Sequence, residues 1–160
     1  MNKKGFTLIE LLVVIAILAI LAGIVIIAVN PARQVAQARN AQRRADVLTI
    51  LNGVHQYLID NGNFPAGIVE ETYYQLGTAG EGCNLDCGDD WLLEVDCLDL
   101  SGDLSPTYIT AIPVDPLPLG TSEQTGYAIY REVVNDVITR ITVRACLTEP
   151  PAEKVIEVTR

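Results

Sequence analysis

From Leu11 to Val29 the chain carries no charged residue, and a carboxylate, Glu10, stands at the mouth of that run. A helix over residues 6–29, rising roughly 1.5 Å per residue, would be about 36 Å long, against about 30 Å for the hydrocarbon core of a bilayer. The segment is long enough to span a membrane. A charged side chain in hydrocarbon costs about 2.5–3.5 kcal/mol on insertion scales, and such residues pair with something and serve a function. Glu10 therefore requires a partner that the run itself does not supply.

Lys3 and Lys4 precede the run, so the positive-inside tendency puts Met1 on the cytoplasmic side and everything after Asn30 outside. The far end reads Ile27-Ala28-Val29-Asn30-Pro31-Ala32, a poor match to the small-residue cleavage site of a secretory signal. A retained anchor is the expectation from membrane physics alone, with Glu10 snorkelling to the interface as the plainest reading of its charge.

Lys3-Lys4-Gly5 followed by Phe6-Thr7-Leu8-Ile9-Glu10-Leu11-Leu12-Val13-Val14-Ile15 resembles the class III signal of type IV pilins and type II secretion pseudopilins. The resemblance implies that a prepilin peptidase cuts between Gly5 and Phe6 on the cytoplasmic side, and that the new amino group of Phe6 is methylated. It also implies that Glu10 meets the Phe6 amine of a neighbouring subunit during assembly. Such a contact would answer the charge problem, since opposite charges attract far more strongly in a low-dielectric medium than in water.

About thirty of the 160 residues go to the leader and anchor, which leaves one exterior domain of modest size. The expected division is a leader at 1–5, a membrane and filament-core helix at 6–29, and an exterior domain at 30–160. Formal charge is −9, and loss of Lys3 and Lys4 with the leader takes the side chains to −11. An acidic exterior argues against binding nucleic acid or anionic lipid head groups, both of which need basic patches.

Asn30-Pro31 interrupts the apolar pattern, and proline kinks a helix or opens a new first turn. An amphipathic helix is expected over 32–60, with Val47, Leu51, Val54 and Leu58 on one stripe and Leu48 and Ile50 at its edge. Asn61-Gly62 and Pro65 end it. Arg39, Arg43 and Arg44 make its early part basic, read either as a solvated face or as partners for acidic loops of neighbouring subunits. Asn30-Pro31-Ala32-Arg33-Gln34 and Tyr57-Leu58-Ile59-Asp60-Asn61-Gly62-Asn63-Phe64-Pro65 are similar to segments of pilins and pseudopilins.

Periodicity fades over 68–105, where Cys83, Cys87 and Cys97 lie among Glu81, Asp86, Asp89, Asp90, Glu94, Asp96, Asp99 and Asp103, around Trp91-Leu92-Leu93. With Cys146 there are four cysteines beyond the span. Outside the cytoplasm disulfides are the favoured reading, and four cysteines allow three pairings that sequence alone does not separate. Cys146, on an expected strand, would pin part of the loop to a sheet. Calcium is a weaker reading, with Asp96, Asp99 and Asp103 as candidates beside Asp89 and Asp90, because the spacing of a calcium loop is missing. Zinc is weaker still, since Cys83 and Cys87 alone do not make a paired knuckle. No cofactor is expected.

The remainder, 106–160, reads as sheet. Tyr127-Ala128-Ile129-Tyr130-Arg131 alternates, Asn135-Asp136 offers a turn, and Ile138 to Leu147 alternates again, which together make a hairpin. Val155 to Val158 adds a short edge strand. Pro113-Val114-Asp115-Pro116 with Gly126-Tyr127 resembles a pseudopilin signature, and the two prolines fix a rigid turn. His55 is the single histidine and sits mid-helix, with no serine or cysteine nucleophile spaced to partner it, so no active site is expected.

The expected fold is α+β, a long kinked N-terminal helix packed on a small antiparallel sheet. The expected function is a structural subunit of a bacterial type IV filament, a homo-oligomer. It would begin in the cytoplasmic membrane and end in a surface filament, served by the assembly ATPase and platform protein that the resemblance implies. A pseudopilin of type II secretion or a DNA-uptake pilus is the alternative within the class. A membrane-anchored binding module that never polymerises is the alternative outside it.

Overall fold

The computed structural model describes residues 5–80, 83, 85–88, 97–134, 138–150 and 155–160. It divides into two compact units, Met1–Val35 and Ala36–Arg160. Helix α1 runs over Leu8–Val29, and α2 over Pro31–Asn61. One residue, Asn30, separates them in the left-handed region, with φ 46° and ψ 76°. Asparagine tolerates that conformation better than most side chains. Its Oδ1 and its carbonyl both accept from the Arg33 amide, at 3.3 and 3.1 Å, and Pro31 takes the first helical position, where the missing N–H costs nothing.

In the second unit α2 ends as expected. Gly62 adopts φ 77° and donates its amide to the Leu58 carbonyl at 2.9 Å, the positive-φ stop that glycine allows without penalty. Val47, Ile50, Leu51 and Val54 are fully buried, so the stripe expected to face a core does so. Leu58 is half-buried and Leu48 stays exposed.

Among the described residues four antiparallel strands form one sheet in chain order: β1 (Tyr73–Gln75), β2 (Tyr127–Val134), β3 (Ile138–Ala145) and β4 (Ile156–Thr159), with a helical turn, α3 (Ser101–Leu104), between the first two. The hairpin of β2 and β3 is in register from Tyr127↔Ala145 to Val134↔Ile138. Its turn at Asn135-Asp136 lies outside the described residues. The inner face presents Tyr127, Ile129, Ile141, Val143 and Ile156 to α2, with Leu76, Leu100, Leu104 and Ile109 filling the remaining core. Each such aliphatic side chain contributes about 1.5–3 kcal/mol on full burial.

Two expectations about the sheet require correction. Its first strand comes from Tyr73–Gln75, inside the stretch expected to be loop, because the Gln75 carbonyl accepts from Leu98 on the side away from β2 and the chain is held extended there. Residues 106–126, grouped with the sheet although turns were expected at the two prolines and over Gly120–Gly126, contain no strand. They run as turns from α3 to β2. The outer face is also drier than a half-buried strand implies. Ala128 is fully buried, packed with Cys87, Cys146, Tyr73 and Tyr130.

That cover depends on the cysteines. Cys87 is bonded to Cys146 and Cys83 to Cys97, with Cα atoms 4.1 and 5.3 Å apart. Arg144 donates to the Cys87 carbonyl at 3.1 Å, and Gln75 Nε2 donates to the Leu85 carbonyl at 2.7 Å, so the loop is tied to the sheet by hydrogen bonds as well. Removing the Cys87–Cys146 bridge with serines should cost about 2–5 kcal/mol. It spans 59 residues against 14 for Cys83–Cys97, and loop-closure entropy makes the longer bridge worth about 1 kcal/mol more. Guanidinium midpoints of the two double-serine variants, measured with the full chain in detergent, check the order.

Candidate functional site: the start of the apolar helix and a buried ion cluster

At the N-terminus, Thr7 is the cap of α1 and adopts an extended conformation, so Gly5, Phe6 and Thr7 stay outside the helix. Glu10 sits at the third helical position. Its Oε2 accepts from the Thr7 amide at 2.9 Å and from the Thr7 hydroxyl at 2.6 Å, and the Glu10 amide donates back to Thr7 Oγ1 at 3.3 Å. This is a capping box, which satisfies orphan amides of the first turn and places a carboxylate at the positive end of the helix dipole. Sequence reading passed over Thr7, although the T-x-x-E spacing was there to find it. Within a single chain the awkward carboxylate is therefore partly answered by its own neighbour. Both bonds fall on Oε2.

Phe6 is 80 % exposed, and Leu8, Ile9, Leu11 and Leu12 follow at 51–76 %. Apart from this polar mouth the helix is apolar on all sides, and Leu8–Ile26 is long and apolar enough to cross a membrane. An all-round apolar helix calls for lipid or for other helices around it.

The second constellation lies in the Ala36–Arg160 unit and was not foreseen. Arg43, one of the basic residues of α2, is neither on a solvated face nor turned to another subunit. Its side chain is completely buried. Nε donates to Asp115 Oδ2 at 2.6 Å and Nη2 to Asp115 Oδ1 at 2.9 Å, a two-pronged pair, while Nη1 reaches Asn40 Oδ1 at 2.7 Å and Glu149 Oε2 at 3.0 Å. Burial alone would lower the guanidinium pKa, and the bonds from Asp115 and Glu149 outweigh it and raise it. Arg39 is half-buried against the same Glu149 at 2.8 Å. Asn40 completes the clamp, donating to the Glu149 carbonyl at 2.6 Å and accepting its amide at 3.2 Å. Arg44 alone of the three stays exposed.

The turn between the two prolines thus serves Arg43. Asp115 is held by its amide donating to the Thr125 carbonyl at 2.8 Å and by its Oδ1 accepting the Leu117 amide at 2.9 Å. Gly126, at φ 84°, passes so close that a Cβ there would lie 2.8 Å from the Asp115 Cβ. Next to it the Tyr127 hydroxyl donates to Asp46 Oδ2 at 2.6 Å, and burial first, then this bond, pushes the phenol pKa far up. These groups are charge pairs locked inside a fold. They join α2 to the proline turn and to the segment after β3, and no reacting group is presented.

Of the weak calcium candidates, Asp96 lies outside the described residues, with Asp89, Asp90 and Trp91-Leu92-Leu93. Asp99 spends Oδ1 on the Ser101 amide at 2.8 Å, and Asp103 lies in the first turn of α3. Among the described residues no group of three or more histidine, cysteine or acidic side chains could hold a metal. His55 is half-buried at the core edge, and burial, with Arg160 nearby, lowers its pKa.

The family model of the prokaryotic N-terminal methylation motif matches residues 1–26, which take in the capped start and most of α1. The chain carries the class III signal peptide of type IV pilins and pseudopilins. A subunit of pilin or pseudopilin type, made as a prepilin with an N-terminal membrane helix, fits both that motif and the α+β arrangement. Neither a search of curated proteins nor one of solved structures finds a match.

Proposed function

We propose that the chain is the structural subunit of a bacterial type IV pilus. A prepilin peptidase cuts between Gly5 and Phe6, and the Phe6 amine is methylated. The subunit leaves the bilayer when α1 exchanges lipid for the α1 helices of other copies. The observation that carries this reading is the polar mouth of an otherwise apolar, exposed helix. Glu10 accepts two hydrogen bonds from Thr7 through one oxygen, and the exposed Phe6 lies just outside the helix start.

In the assembled filament the Phe6 amine of one copy pairs with Glu10 of the next and sets the register. At 4 Å such a pair is worth about 1 kcal/mol in water and about 4 kcal/mol at an effective dielectric of 20. Before cleavage the Phe6 nitrogen is an amide and carries no charge, so processing switches the contact on. The folded Ala36–Arg160 unit, stapled by two disulfides, suits exposure on the cell surface. The assembly ATPase and the platform protein supply the work of extraction.

Electron microscopy of sheared surface material, with the chain labelled by antibody, tests the proposal. Label along the length of filaments is the expected result. Label confined to the membrane fraction would favour a secretion pseudopilin or an anchored module instead.

A further inference from the structure

We draw no further inference here: the strongest candidate, the apolar cleft of about 190 Å³ walled by Thr78, Leu100, Ser105, Ile112 and Thr125, carries nothing because the hydroxyls of Thr78, Ser105 and Thr125 are already spent on main-chain carbonyls and nothing in the structure shows what covers it.

Discussion

Replacing Arg43 with alanine should destabilise the Ala36–Arg160 unit by about 3–5 kcal/mol, the usual cost of removing one partner from a buried ion pair. The cost is large because Asp115, whose side chain is fully buried, would be left charged without its guanidinium partner. Set against a typical total of about 5–15 kcal/mol, that loss brings the unit near its threshold. Arg43→Lys keeps a charge but cannot match both Asp115 oxygens, and should fall between alanine and the wild type. The pair Arg43→Met with Asp115→Leu removes the charge problem from both sides, so it should be more stable than Arg43→Ala alone. Guanidinium unfolding of the full chain in detergent, followed by the near-ultraviolet dichroism of its tyrosines, gives the three midpoints. Equal midpoints for Arg43→Ala and the wild type would mean that the cluster does not join α2 to the proline turn.

The second large effect concerns Glu10. Truncating one partner of a buried, hydrogen-bonded charge pair costs about 2–5 kcal/mol, so Glu10→Ala should weaken subunit association by a factor on the order of 30 to several thousand. Surface filaments should disappear while the chain is still made, inserted and cleaved. Two further variants separate the roles that Glu10 combines. Glu10→Gln can still cap the helix through Thr7 but has no charge to offer an amine, and it should lose filaments nearly as completely. Thr7→Ala keeps the charge and removes the hydroxyl bond at 2.6 Å. A lost cap costs about 1 kcal/mol, so filaments should be fewer but present. Normal filaments from Glu10→Gln would show that capping, rather than charge pairing, is what assembly needs from this residue.

The parts of this fold that were legible in the sequence are those that local pattern dictates. The apolar run, the stripe at Val47, Leu51 and Val54, the glycine stop at Gly62 and the alternation of β2 and β3 each follow from short-range periodicity or from one residue's backbone freedom. Arg43 was misread because a run of arginines at a helix start has the same pattern whether solvated or buried. What decides is Asp115, 72 positions away, and the turn that brings it there. β1 was missed for a related reason. Three residues, Tyr73-Tyr74-Gln75, are too short for alternation to register, and they are extended because β2 on one side and Leu98 on the other fix them. The capping box is legible in the T-x-x-E spacing of Thr7 and Glu10, where one carboxylate serves both charge and hydrogen bonding.

The disulfide pattern shows the same division. The sequence placed the cysteines in a compartment where they would pair, and it left three pairings open. The choice in the structure follows from tertiary contact, since Arg144 and Gln75 hold the loop at Cys87 and Leu85 over the sheet beside Cys146.

Whether the helix with Glu10 at its mouth is the processed start of a polymerising subunit is tested most directly by the mass of the N-terminal peptide of the mature chain. The predicted peptide begins at Phe6 and carries one added methyl group on its amine. A peptide that still begins at Met1, or one that begins near Ala32 after loss of the whole apolar segment, would contradict it.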